Sequence, residues 1–205
     1  KLPGPSKVAQ LNLEVVNFNS PLEKKIYHTF VNDKIYKRLI KCGNINDDYK
    51  FNYKALKASD FNTYGLDGIL TSDYSNWNKY VFRTGNPKLS KGSNADGGRN
   101  LGKIATWKCS KLWMVFIRSQ ISKPYEETRF MGRCMTNGYS KIDGKNKLRE
   151  PHEYFVKKKI RNKVNVDPAL EKCLKNLFKS PRDKYGTDFL FPEFSAFDIK
   201  ELIPY

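Results

Sequence analysis

The chain has 205 residues and a formal charge of +17, from 38 Lys and Arg against 21 Asp and Glu. Aromatic residues make up 14%, more than a disordered chain carries, and four Cys are too few for a disulfide-built miniprotein. The longest apolar run, Leu112 to Ile117, is about six residues where a membrane span needs about 20, so no membrane partner is expected.

The opening segment, Lys1-Leu2-Pro3-Gly4-Pro5-Ser6, has neither an initiator Met nor the apolar stretch of a leader. It suggests a single domain over 1–205 taken from a longer chain. Scattered Cys with no close pair fit reduced thiols in an intracellular compartment. The charge excess specifies a partner of opposite sign, and nucleic acid is the commonest polyanion.

In chain order, Leu11 to Phe18 alternates and predicts a strand. Ser20-Pro21-Leu22-Glu23 is a capping box with Pro at the first helical position. Apolar residues then recur at Leu22, Ile26, Phe30, Ile35 and Leu39 until Lys41-Cys42-Gly43 supplies a stop, which predicts one helix over 21–42. Tyr49 to Lys57 reads as a short helix or strand, and 59–78 as irregular. Tyr80 to Thr84 reads as a strand. Residues 85–103 are rich in Gly, Asn and Ser and predict a long basic loop.

Ile104 to Ile121 is the strongest strand region, long enough to expect a hairpin or bulge near Ser110-Lys111, with Trp107 and Trp113 in the core. Arg129 to Cys134 suggests another strand. Asn137-Gly138 and Asp143-Gly144 are hairpin signals. His152 to Val166 carries a partial helical stripe. Asp167-Pro168 caps a second helix that ends near Ser180-Pro181. The Pro-punctuated tail, Tyr185 to Tyr205, is expected to pack across the body. Together these elements predict an α+β fold: a mainly antiparallel central sheet from about 80–135, flanked by helices near 21–42 and 168–179.

Two segments concentrate the cations. The 85–103 loop carries Lys88, Lys91, Arg99 and Lys103 against Asp96. Residues 141–163 carry nine cations against Asp143, Glu150 and Glu153. Within them Lys157, Lys158, Lys159, Arg161 and Lys163 have no interleaved acid to relieve their mutual repulsion. A bound phosphate backbone would relieve it. We therefore expect phosphate contacts from Lys157, Lys158, Lys159, Arg161, Lys163, Lys88, Lys91 and Lys103. Arg and Asn are the side chains that read guanine and adenine edges, which makes Arg99, Asn100 and Asn94 the candidate base contacts. Tyr74, Trp77, Tyr80 and Phe82 are candidates for base stacking, with core packing as the plainer use.

Other chemistries find less support. Cys42, Cys109, Cys134, Cys173, His28 and His152 lack the close pairs of a zinc site, and no cofactor motif is present. Gly97 to Gly102 matches neither the dinucleotide nor the nucleotide-triphosphate loop. One arrangement invites a nuclease reading: Asp188, then Asp198-Ile199-Lys200, an acid followed by an acid-x-Lys that would hold Mg²⁺ and orient water. The sequence thus predicts a nucleic-acid-binding module, with duplex DNA favoured over RNA, in a nuclear regulatory or chromosome-associated protein. A metal-dependent nuclease and a viral capsid or nucleoprotein subunit are the alternatives.

Overall fold

A computed structural model of the chain describes residues 8–70, 72, 74–81, 108–135, 152–154, 158–160, 163–165, 168–179 and 181–194. The elements are β1 (Gln10–Asn17), α1 (Pro21–Phe30), α2 (Asp33–Lys41), β2 (Lys54–Phe61), α3 (Asn76–Val81), β3 (Met114–Gln120), β4 (Thr128–Met135), β5 (His152–Tyr154), β6 (Lys158–Ile160), β7 (Lys163–Asn165), α4 (Pro168–Leu177) and β8 (Gly186–Pro192). Six strands form one sheet in the order β1-β2-β8-β3-β4-β5, antiparallel at every pairing, and β6 and β7 form a separate hairpin. The fold is α+β, as the sequence predicts.

The first helical stretch follows its capping box: Ser20 Oγ accepts from the Glu23 amide at 3.2 Å, and Glu23 Oε2 accepts from the Ser20 amide at 2.9 Å. The expected single helix over 21–42 is, however, two helices. Asn32 is extended and accepts from the Ile35 amide at 3.2 Å through its side chain, so it caps a new N-terminus. A short polar side chain that bonds nearby backbone competes with helix continuation, and here it wins.

Alternation divides the sheet into two apolar faces. Val16, Ala55, Leu190, Phe116, Phe130 and Cys134 point to one side, where Tyr27, Phe30, Leu39, Leu174 and Leu177 of α1, α2 and α4 cover them. Leu56, Phe191, Val115, Ile117 and Met131 point to the other, against Trp77 and Val81 of α3. Each such fully buried Leu, Ile or Phe contributes about 1.5–3 kcal/mol of transfer free energy, so this two-sided burial dominates what holds the sheet.

Several expectations are corrected. Tyr80 and Val81 end α3 rather than start a strand: the Ser75 hydroxyl accepts from the Asn78 amide at 3.1 Å, opening a helix that puts Trp77 and Val81 one turn apart on the core. Among the described residues 108–121, Met114–Gln120 is strand and residues 108–113 are turns, with Trp113 half-buried at φ 50°. The partial helical stripe of 152–166 gives way to the three short strands β5, β6 and β7. The sheet also draws on much more of the chain than 80–135. Thr187 to Phe191, read as part of a tail, pairs with β2 on one side and β3 on the other. A run buried on both faces is apolar without alternation.

Just past β8, Glu193 is fully buried at φ 56° and ties the end of the strand to the helix layer. Its carboxylate accepts from Tyr27 Oη at 2.8 Å, Tyr49 Oη at 2.9 Å, the Asn52 amide at 2.8 Å and the Tyr53 amide at 3.1 Å. Four donors replace the water that a buried carboxylate loses. Burial and then the neighbouring Glu193 charge hold the Tyr27 phenol well above its ordinary value.

Candidate anion-binding groove

Arg118 stands on the helix-covered face of β3, in line with Phe116. An arginine at a core position requires an acid, and β8 supplies it. Asp188 is the direct cross-strand partner of Arg118, 1% exposed, and its Oδ2 accepts from Arg118 Nε at 2.6 Å. Arg182, in the turn before β8, donates to the other oxygen, Oδ1. Its remaining donors reach the carbonyls of Asp60, Lys184 and Tyr185. Burial is the main influence on the Arg182 guanidinium and pulls it below its ordinary value, against the opposing pull of Asp188 and Asp60. Gly186 makes the clamp possible: at φ 140°, a Cβ there would collide with Asp60 and with Arg182 Nη2. The Asp60 carboxylate beside Arg182 supplies a second anion, so two guanidiniums and two carboxylates balance in the clamp.

Above the clamp lies a groove of about 440 Å³ between α4 and the end of β3. Arg118 and Arg182 line its floor, Gln120, Thr128 and Phe130 its wall, and Lys175, Lys179 and Glu171 its rim. Arg118 lies 4.9 Å from the Phe178 ring centroid and Arg182 4.6 Å from that of Phe61, so each guanidinium has an aromatic support. Lys175 pairs with Glu171 at 2.9 Å and Lys179 with Glu23 at 2.7 Å, and the two lysine side chains are 57% and 41% exposed. Hydrogen bonding from Lys179, then from the Ser20 backbone, lowers the Glu23 carboxyl to about 2. Exposed ion pairs of this kind are worth about 0–1 kcal/mol. An arriving phosphate exchanges with such a carboxylate at little cost. The arrangement is suited to holding an anion; it offers no nucleophile paired with a base.

The same side of the molecule carries further cations. Lys34, Lys37 and Lys41 of α2 and Lys172 of α4 are exposed, at spacings that keep each helix's apolar residues on the core.

Of the residues expected to contact nucleic acid, Lys158 and Lys159 lie on β6 and Lys163 on β7, in a hairpin where Lys159 is opposite Val164 and Lys163 opposite Ile160. That hairpin places Lys158, Lys159 and Lys163 on two adjacent strands. Lys157, Arg161, Lys88, Lys91, Lys103, Arg99, Asn100 and Asn94 lie outside the described residues, as do Phe82, Trp107, Asp198 and Lys200. Among the stacking candidates, Trp77 of α3 is buried in the core, whereas Tyr74 is exposed. Asp188 does not present an open carboxylate for a metal: a guanidinium occupies each of its oxygens. Among the described residues no three His, Cys, Asp or Glu side chains gather as a metal site, and no helix is long and apolar enough to cross a membrane. The four Cys are free thiols, and burial pushes the Cys134 thiol up to about 12.

Sequence reasoning missed the groove. Its signal was present: Arg118 directly follows Met114-Val115-Phe116-Ile117, and Asp188 directly precedes Phe189-Leu190-Phe191. Two opposite charges in two core strands are a pair in waiting. Comparison with known protein families, curated proteins and solved structures found no match for this chain.

Proposed function

We propose that this protein is a nucleic-acid-binding module that takes duplex DNA in preference to RNA, within a nuclear regulatory or chromosome-associated protein. The observation that carries the reading is the charge of +17 on 205 residues, an excess that an idle surface has no use for. Self-repulsion of that size weakens a fold unless a polyanion relieves it. The exposed Lys175 and Lys179 at the groove rim, and the placement of Lys158, Lys159 and Lys163 on the β6–β7 hairpin, support a phosphate-contacting role. Phosphate contacts position a protein on nucleic acid, and base contacts specify the sequence. Lys157 to Lys163, Lys88, Lys91 and Lys103 are assigned the first task. Arg99, Asn100 and Asn94 are assigned the second, and their match to guanine and adenine edges is the ground for preferring a duplex.

A mobility-shift titration on random and selected duplexes tests these roles. Joint reversal of Lys157, Lys158 and Lys159 to Glu is expected to weaken binding on every sequence, as is the pair Lys175→Glu and Lys179→Glu. Arg99→Ala is expected to change preference among sequences instead. Wild-type binding by all three variants overturns the assignment. Large assemblies in light scattering with oligonucleotide, in place of discrete complexes, would favour a genome-packing subunit.

A further inference from the structure

The apolar face of the sheet does not stop where its cover stops. Among the described residues β1 is an edge strand, with β2 on one side only. Its residues Leu11, Leu13 and Val15 alternate onto the α3 side, where Val15 sits opposite Leu56 and Leu13 opposite Ala58, both in or against the second core cluster. Yet Leu11, Leu13 and Val15 are 72%, 61% and 49% exposed. Edge strands of natural proteins are ordinarily blunted with lysine, proline or a bulge. This one has none: Gln10 to Asn17 holds no Lys, Arg or Pro in a chain with 38 Lys and Arg. Its one charge, Glu14, faces the helix side and is paired with Lys57 at 3.3 Å.

We propose that β1 is the docking edge for a second copy of this chain, joined by antiparallel β1–β1′ pairing about a two-fold axis at Leu13. Two arguments single out a second copy. The first is charge: two molecules at +17 repel almost everywhere, and this cation-free edge is where they can approach. The second is register. Opposed residues in an antiparallel pair share a face, so apolar Leu11, Leu13 and Val15 must meet the same set. Centring on Leu13 sets Leu13 against Leu13′, Leu11 against Val15′ and Asn12 against Glu14′. Centring on Glu14 would oppose two carboxylates, and a shift by one residue would put apolar side chains against polar ones. Centred on Leu13 the strand is self-complementary, apolar against apolar with no like charges opposed. The pairing joins two sheets into one, extends the apolar stripe across the axis and uses up the edge, so association stops at two.

Sedimentation equilibrium of the full chain without nucleic acid, from micromolar to about a hundred micromolar, tests the proposal. The expected result is a mass approaching twice the monomer's. Leu13→Lys places two ammonium groups at the axis and is expected to return the monomer mass with unchanged circular dichroism, since the side chain is exposed. Leu13→Cys is expected to yield a covalent dimer under mild oxidation, and Val8→Cys, off the axis, is not. A wild-type chain that stays monomeric throughout overturns the proposal, as does a Leu13→Lys variant that dimerises like wild type.

Discussion

Asp188 and Arg118 face each other directly across the β8–β3 ladder, and the carboxylate is shared with a second guanidinium, that of Arg182. The three groups close one end of the core beneath the groove. Removing one partner of a buried charge cluster leaves the others unneutralised, at a cost of about 3–5 kcal/mol. Asp188→Asn removes the carboxylate that Arg118 and Arg182 share and leaves Asp60 as the anion beside Arg182, and we expect a loss of stability of that order in urea unfolding. A change below about 0.5 kcal/mol, the scale of a neutral surface substitution, would mean the clamp is not formed.

Glu193 performs a related task without a cation. Each carboxylate oxygen takes one tyrosine hydroxyl and one backbone amide. Gln at this position turns an amide nitrogen toward two of those donors. We expect Glu193→Gln to cost on the order of 2–3 kcal/mol, the penalty for stranding buried donors. The loss is expected in thermal unfolding, with nucleic-acid affinity of the remaining folded protein unchanged.

The link between Glu23 and Lys179 predicts a dependence on pH. The folded carboxyl sits at about 2 against an ordinary value of 4.5. A carboxyl depressed by folding stabilises the native state fully above its unfolded value and loses that contribution as pH falls toward its folded value. The difference in urea midpoint between wild type and Glu23→Gln is therefore expected to be constant above about pH 5 and to close between pH 4.5 and pH 2. A gap that stays level through that range would contradict the pairing.

The parts of this fold legible in the sequence are those set by local chemistry. The Ser20-Pro21-Leu22-Glu23 box starts α1 where expected, Asp167-Pro168 announces α4, and the strand expected at Arg129 to Cys134 lies within β4. Asn32 was legible in principle: an Asn-Asp pair inside an apolar stripe is itself a cap signal. What was not legible depends on distant partners. Phe189-Leu190-Phe191 is a short apolar run, and only β2 and β3, far away in the chain, make it a central strand. The groove needs α4, β3 and the turn at Arg182 at once, so no single window of sequence contains it.

The central claim is that the cation excess serves a phosphate polymer. Its most direct measurement is the dissociation constant for a duplex of fixed sequence as sodium chloride rises from about 50 to 200 mM. Release of condensed counterions makes log K fall linearly with log salt, with a slope near −0.9 per phosphate neutralised. The eight assigned phosphate contacts and the two rim lysines predict a steep line that flattens when Lys157, Lys158 and Lys159 are reversed. Binding that ignores salt, or no binding at 50 mM, would contradict the account.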